Sequence, residues 1–419
     1  MVSEFCVGRL GECGYPSPLS MPAFVGDGDG LLVDPIICKG GALPESPDVL
    51  ELAGARERVF FDGPHTRAAI VTCGGLCPGL NDVIRGLTMV LWHRYGVRDI
   101  LGLRYGYEGL IPDYGHDPMV LTPEVVEDIH KDGGTILGSS RGGQDVPTQV
   151  SYLETHGINL LFTIGGDGTQ RGALEISQEV RRRGLDIAVV GIPKTIDNDV
   201  SFTERTFGFE TAVAMSQDPI VGIHNEAKGV RNGVGLVKLM GRESGFIAAY
   251  ATLASSDVNL VLVPEVPFTL DQVFDFLEER LKHKSHAVVV VAEGAGQNLA
   301  SVDGTDRSGN RKLGDIGVFL KEAISSHFRA KDLAVSVKYV DPSYTIRSAP
   351  ATADDSVFCF QLAEHAVHAA MAGRTGMVVG LWNGRFVHVP VEKSVSARKQ
   401  IDPCGSLWQS VLNNTGQAF

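Results

Sequence analysis

Two acidic turns, Gly165-Gly166-Asp167-Gly168-Thr169 and Pro193-Lys194-Thr195-Ile196-Asp197-Asn198-Asp199, each follow an apolar, β-branched run, and no other feature restricts the fold as tightly. The runs are Asn159-Leu160-Leu161-Phe162-Thr163-Ile164 and Ile187-Ala188-Val189-Val190-Gly191-Ile192, with a helical segment expected over Arg171–Val180 between them. Short, continuously apolar runs separated by a helix predict neighbouring buried strands of a parallel sheet. Both turns then lie at strand carboxyl ends, where open α/β sheets bind ligands. Asp167, Asp197 and Asp199 with Lys194 and Thr195 suit the transfer of a phosphoryl group with Mg²⁺, in a chain without a Walker loop.

The alternation continues on both sides. A strand is expected over Arg67–Cys73, then the turn Gly74-Gly75-Leu76-Cys77-Pro78-Gly79 and a helical stripe of Val83, Ile84, Leu87, Val90 and Leu91. A further strand falls near Ile100–Leu103. A second series follows about residue 208, with strands near Val234–Leu239, Leu260–Val263, Ala287–Ala292 and Leu333–Val340. Its helices run about Glu243–Leu253, Leu270–Leu281, Gly317–His327 and Asp354–Met371. So many strands exceed one sheet, and the fold class expected is α/β: two doubly wound, mainly parallel-sheet domains facing a cleft. Residues 1–65, rich in Gly and Pro, form an N-terminal extension that packs on the main body. Its Gly26-Asp27-Gly28-Asp29-Gly30 tract lacks the later ligands of an EF-hand and reads as a loop. Asn298–Lys312 reads as a surface excursion.

At 419 residues there is length for two or three domains. A net charge of −13 argues against nucleic acid as a bulk partner, so an anionic substrate needs a local basic pocket. Arg141, Arg171, Lys194, Arg242, Lys338 and Arg347 are candidates. The seven cysteines show no zinc spacing, and Cys73 and Cys77 form C-x-x-x-C rather than a redox pair. Reduced thiols and a cytoplasmic address follow. No apolar stretch reaches the roughly 18 residues of a membrane span. Glu4 and the lack of a cationic start argue against a secretory leader.

The turns carry chemistry with open alternatives. G-G-L-C-P-G-L-N at Gly74–Asn81 reads equally as a phosphate cradle at a helix N-terminus or a structural turn. Asp167, between Gly166 and Gly168, suits Mg²⁺ or a phosphate, or a plain turn. If T-I-D-N-D stays extended, Asp197 and Asp199 point the same way, as a general base with a metal-facing partner; an Asx-turn pair is the other reading. Lys194 can neutralise charge on a transferring group. G-S-S-R-G (Gly138–Gly142) offers a guanidinium to phosphate. L-M-G-R-E-S-G (Leu239–Gly245) ends a strand with Arg242, and Glu293 follows another, placed to accept sugar hydroxyls. Y-T-I-R (Tyr344–Arg347) with Lys338 would hold a sugar phosphate.

In order, these segments resemble the 6-phosphofructokinase family, over about residues 67 to 390. The likeness is to the forms with lysine in P-K-T-I-D-N-D, among trypanosomatid and plant ATP-dependent enzymes and pyrophosphate-dependent ones. R-T-F-G-F-E-T-A (Arg205–Ala212), V-K-L-M-G-R-E-S-G (Val237–Gly245), P-E-V-P-F (Pro264–Phe268) and D-P-S-Y-T-I-R (Asp341–Arg347) support that subgroup. The resemblance implies a nucleotide-binding domain of 66–208 plus about 346–390. A fructose-6-phosphate domain would take 209–345 plus about 391–419. Asp197 would be the base, with Lys194 and Thr195 beside it; Asp167 and Asp199 would hold Mg²⁺. Gly75, Arg141, Gly142, Gly166, Asp167, Gly168 and Thr169 would line the nucleotide site. Thr195, Ile196, Asp197, Met240, Gly241, Arg242, Glu293, Lys338, Tyr344 and Arg347 would hold fructose 6-phosphate.

Against the bacterial pattern, Lys194 stands for a glycine, Lys338 for an arginine and Tyr344 for a histidine. Arg104 replaces an adenine-stacking tyrosine, and Asn232-Gly233 replace a neighbouring subunit's arginine. Pyrophosphate users usually carry aspartate where this chain has Gly168, and glycine leaves room for the α-phosphate of ATP. Lys194 is typical of pyrophosphate users, and an ammonium suits either donor. ATP is therefore the expected donor, and pyrophosphate the alternative. A homo-oligomer, tetramer or dimer, is usual in the family. A non-catalytic regulatory subunit would be expected to have lost the three carboxylates, and an NAD or lipid kinase would not explain P-K-T-I-D-N-D.

Overall fold

Uninterrupted β-branched runs become strands buried on both faces. The computed structural model describes residues 4–36, 46–300, 304 and 312–419. One unit comprises Met1–Thr195, Val200–Gly208 and Ala349–Ala397; the other comprises Ile196–Asp199, Phe209–Ser348 and Arg398–Phe419. The main sheet of the first unit takes strands β1 (Gly30–Leu32), β2 (Val49–Leu52), β3 (Arg67–Thr72), β4 (Asp99–Leu103), β5 (Met119–Val120), β6 (Leu160–Gly165) and β7 (Ala188–Pro193). The second holds β8 (Gly233–Leu239), β9 (Leu260–Leu262), β10 (His286–Ala292) and β11 (Ser336–Val340). The chain returns to the first for β12 (Met377–Trp382) and β13 (Arg385–Pro390). Helices α1 (Leu80–Tyr95), α2 (Asp167–Arg183) and α7 (Ala353–Met371) belong to the first unit. Helices α3 (Phe246–Ser255), α4 (Leu270–His283), α5 (Ile316–Ala330) and α6 (Ser343–Arg347) belong to the second.

The first sheet runs β1-β2-β13-β12-β7-β6-β3-β4-β5. Its middle, β12 to β4, is parallel, with Pro193 opposite Gly165 and Thr72 opposite Ile164. Every residue of β6 and β7 is buried. Ala173, Ile176 and Val180 of α2 close on Val71, Leu161 and Val189, so a helical stripe meets the sheet face. The edges are antiparallel, and β1 and β2 complete one of them from the N-terminal extension. Phe5 and Leu50 of that extension share a core with Val378, Val387 and Val389.

The second sheet, β9-β10-β8-β11, is wholly parallel, with Leu239 opposite Ala292. Val234, Leu236, Val289 and Val291 pack under Val273 and Leu277 of α4 and Leu320, Ile324 and Phe328 of α5. Several ends differ from expectation. Helix α2 starts at Asp167 rather than Arg171, and α3 starts at Phe246, three residues beyond the expected Glu243. Strand β11 starts at Ser336 because Asp332, at φ 56°, reverses the chain and Leu333 N–H closes on Phe328 O. Of the expected surface excursion, residues 301–303 and 305–311 lie outside the described residues.

Two histidines of α7 give this unit an acid-sensitive core. Burial holds the His365 imidazole at about 4 and that of His368 at about 3, and His388 adds to both shifts. Tyr95 Oη sits 2.7 Å from His368 Nδ1, and His365 stacks on Phe386. The unfolded chain takes both protons near pH 6.5, the folded one only near 4 and 3, so the unfolded state binds more protons in between. Stability is therefore expected to fall as pH drops below 6.5, by several kcal/mol on the order of pH 4. Calorimetry at fixed ionic strength checks this, and an unfolding temperature level between pH 7 and pH 4 would contradict it.

Candidate active site

In the first unit, neighbouring strands β3, β6 and β7 end side by side, and each releases one piece of a polar cluster. Strand β3 leads into Gly74-Gly75. Gly74 sits at φ 87°, and a Cβ there would lie 3.2 Å from Lys194 Nζ. Lys194 follows β7, is only 8 % exposed, and donates from Nζ to Gly75 O at 2.8 Å. Ser139 Oγ donates to Gly74 O at 2.7 Å, and Gly74 N–H donates to Ser140 O at 3.0 Å. This brings in the G-S-S-R-G loop. The exposed Arg141 places its guanidinium 3.3 Å from where a Gly75 Cβ would be, and Gly142 turns the chain at φ 105°. Gly75, Arg141, Gly142 and Lys194 thus converge.

Strand β6 leads straight into α2, with Gly166 as its N-cap and no side chain capping the first turn. Exposed N–H groups and the helix dipole there favour an anion. Gly165 admits no side chain, since a Cβ would lie 2.2 Å from Thr169 Oγ1. Thr169 is buried, and its carbonyl accepts from Tyr107 Oη at 2.7 Å. Gly168 is the opposite case: an added Cβ meets nothing within 4 Å. Asp167 pairs with Arg171 at 3.0 Å one turn along the helix. Thr195 ends this unit's share of the loop, its carbonyl accepting from Thr206 Oγ1 at 2.7 Å.

Ile196–Asp199 belongs to the second unit, and of the two geometries left open for T-I-D-N-D the extended one is not the one adopted. Asn198 is left-handed at φ 56°. Asparagine tolerates that region, and this one is held by Lys399, whose Nζ donates to Asn198 Oδ1 at 3.0 Å and whose N–H donates to Asp199 O at 2.9 Å. The two carboxylates consequently go to different partners. Asp199, 5 % exposed, pairs with Arg398 at 2.9 Å. Asp197, 9 % exposed, accepts from Arg242 N–H at 3.2 Å, and its carbonyl accepts from Ser244 Oγ at 3.1 Å.

Burial pushes the Asp197 carboxyl up to about 7, and the negative charges of Asp199 and Glu293 push the same way. Arg242 N–H and the Arg347 guanidinium oppose them. Gly241, at φ 122°, makes the turn that presents Arg242 N–H; a Cβ there would lie 2.4 Å from Ser244 O. Glu293 N–H donates to Leu239 O and Gly294 N–H to Gly241 O, both at 2.9 Å, joining the ends of β8 and β10. Glu293 then faces Arg347 of α6 at 3.7 Å.

The remaining candidates differ in availability. Ile196 and Met240 are buried, at 7 % and 0 % exposed. Lys338 is exposed in mid β11, and Tyr344 is 84 % exposed on α6. Arg398 and Lys399 escaped sequence reasoning because no apolar strand precedes them and nearly 200 positions separate them from the turn they hold. Tyr105 was also missed. It follows β4 at φ 58°, packs its ring on Gly138, lies tilted against His116 with ring centroids 4.7 Å apart and stays exposed. Its signal was an aromatic two residues after a strand end. Among the described residues no group of three or more His, Cys, Asp and Glu side chains converges as a metal site. Asp167 and Asp199 are hard oxygen donors of the type Mg²⁺ takes, one or two at a time, alongside phosphate oxygens.

A family model described as phosphofructokinase matches residues 67–370. The ATP-dependent 6-phosphofructokinase of Amycolatopsis methanolica is 51 % identical over 439 residues, covering 99 % of this chain and 95 % of that protein. That of Borreliella burgdorferi is 47 % identical over 433 residues, covering 99 % and 97 %. The Trypanosoma brucei brucei enzyme of the same name is 50 % identical over 374 residues, covering 88 % and 77 %. Among solved structures, the pyrophosphate-dependent phosphofructokinase of Marinobacter aquaeolei aligns with a TM-score of 0.70 at 20 % identity, over 84 % of this chain and 93 % of that one. Phosphofructokinase from Saccharomyces cerevisiae aligns with a TM-score of 0.63 at 23 % identity, over 84 % and 47 %. At such identities the structures speak for the fold alone.

Proposed function

The chain belongs to the phosphofructokinase family, and on that footing we propose that it is an ATP-dependent 6-phosphofructokinase of glycolysis. It transfers the γ-phosphoryl group of ATP to the 1-hydroxyl of fructose 6-phosphate, giving fructose 1,6-bisphosphate and ADP. ATP-dependent relatives near 50 % identity over almost the whole chain support the donor. One observation ties the reading to chemistry. Asp197 is a buried carboxylate held by Arg242 N–H, with Glu293 and Arg347 acting on it.

In this reading Asp197 takes the proton from the sugar O1 as that oxygen bonds to the γ-phosphorus and the bond to the β-phosphate oxygen breaks. Lys194, Arg141 and the N–H groups at the start of α2 hold the donor phosphates, with Gly75, Gly142 and Gly166 letting the backbone approach and Thr169 closing the turn. Asp167 and Asp199 would hold Mg²⁺, which when bound supplies charge neutralisation on phosphate oxygens. Thr195, Ile196, Met240, Gly241, Arg242, Glu293, Arg347, Lys338 and Tyr344 hold the sugar phosphate. The first unit is the nucleotide-binding domain and the second the fructose-6-phosphate domain. We place the enzyme in the cytoplasm, as a homo-oligomer.

Tyr105, rather than Arg104, offers an aromatic face beside the loop that carries Arg141, and Arg104 lies 5.5 Å from its ring. Stacking worth about 0.5–1.5 kcal/mol corresponds to a rise of roughly two- to tenfold in the KM for ATP in Tyr105→Ala, with kcat unchanged. Initial rates against ATP at saturating sugar phosphate measure it, and an unaltered KM removes Tyr105 from the site.

The reading as a whole is tested by a coupled assay of the purified chain with fructose 6-phosphate and Mg-ATP or Mg-pyrophosphate. Turnover with ATP is expected. Turnover with pyrophosphate alone would overturn the donor, and phosphorylation of NAD instead of the sugar would overturn the acceptor.

A further inference from the structure

The turn that carries Asp197 is held by a segment outside every strand-end motif, Arg398-Lys399-Gln400-Ile401. Arg398 Nη1 donates to Asp199 Oδ2 at 2.9 Å. Lys399 holds Asn198 through its side chain and Asp199 through its backbone, and lays its ammonium 5.1 Å from the Phe246 ring centroid. Gln400 Nε2 donates to Glu243 O at 2.9 Å. Ile401 N–H donates to Glu265 Oε1 at 2.9 Å, and the same carboxylate accepts Gly245 N–H at 2.9 and 3.0 Å. One segment therefore ties down both the Asp197-Asn198-Asp199 turn and the Arg242–Gly245 loop that donates to Asp197.

We propose that Arg398 is a positioning residue for phosphoryl transfer, acting through Asp199 to fix the turn that presents Asp197. The proposal rests on the assignment of Asp197 and Asp199 to that reaction. A guanidinium suits the task. Its planar donors orient a carboxylate as well as neutralise it, and the partner here is almost fully buried. Asp197, Asp199 and Glu293 gather negative charge in one place, and Arg398 pairs with one of the three.

Steady-state kinetics of Arg398→Met and Arg398→Lys in the full-length enzyme test this, with unfolding temperatures measured in parallel. Displacing a reacting group by about 1 Å can cost around 10²-fold, so Arg398→Met is expected to lose about 10- to 100-fold in kcat with both KM values within about threefold. Arg398→Lys, which keeps the charge and the better chance of folding, should recover part of the loss. In Arg398→Met/Asp199→Asn the two losses should not multiply, because one residue acts through the other. A kcat for Arg398→Met within twofold of wild type, an Arg398→Lys no better than Arg398→Met, or fully multiplicative losses would each overturn the proposal. A merely structural role would lower the unfolding temperature while leaving kcat per folded enzyme intact. A wild-type enzyme inactive on fructose 6-phosphate would instead overturn the underlying reading.

Discussion

Asp197→Asn is expected to lower kcat by about 10²–10⁴-fold, the usual contribution of a positioned general base, while leaving the fold at least as stable as before. The two halves have separate causes. Asn keeps the volume, and its Oδ1 can still accept Arg242 N–H, so the turn stays in place. What disappears is a basic oxygen able to take the sugar proton. The substitution also removes one of the like charges that burial, Asp199 and Glu293 act upon. Above pH 7 the ionised Asp197 opposes folding, so its neutral replacement should leave the unfolding temperature unchanged or raise it. Asp199→Asn differs in sign, because it breaks the pair between the buried Asp199 carboxylate and the partly exposed Arg398 and should destabilise. A kcat for Asp197→Asn within tenfold of wild type would remove Asp197 as the base. A marked fall in unfolding temperature would mean that the carboxylate is structural.

How much of this was written in the sequence depends on the range of the interaction. Strands β3, β6, β7, β8 and β10 were legible because burial on both faces demands continuous apolar runs, which no solvent-facing segment needs. The placement of Gly74-Gly75, Asp167 and Lys194 together followed from those strand ends. The edge strands β1 and β2 did not show, since they are short and half-exposed in a glycine-rich stretch. Which geometry T-I-D-N-D takes was left open by the sequence for a physical reason. Alternating side chains assume a ladder partner, but here Lys399 and Arg398 take the backbone and side chains of Asn198 and Asp199 and turn the chain at Asn198. Tertiary partners nearly 200 positions away leave no periodic trace. A nearer tertiary partner acts at the start of α3, where Glu265 takes up Gly245 N–H and Glu243 and Ser244 stay in the preceding loop.

Gly168→Asp should abolish most ATP use without harming the fold, and the structure separates those effects. Gly168 lies in the first turn of α2, exposed, outside the positive-φ residues, with nothing within 4 Å of an added Cβ. A helical residue replacing glycine loses less chain entropy on folding, and an acidic side chain in the first turn suits the helix dipole. Stability should therefore hold or rise slightly. The cost falls on the nucleotide. A carboxylate in that open space competes with the α-phosphate of ATP, and two unit charges about 4 Å apart at an effective dielectric near 20 repel by about 4 kcal/mol. That corresponds to a loss on the order of 10³-fold in kcat/KM for ATP. Pyrophosphate has no α-phosphate to collide, so its inhibition constant against ATP should change far less. Gly168→Asn then divides charge from bulk, since it fills the same space without the repulsion. If ATP and pyrophosphate weaken equally in Gly168→Asp, or if Gly168→Asn is as damaging, repulsion of the α-phosphate is not what makes glycine at this position favour ATP.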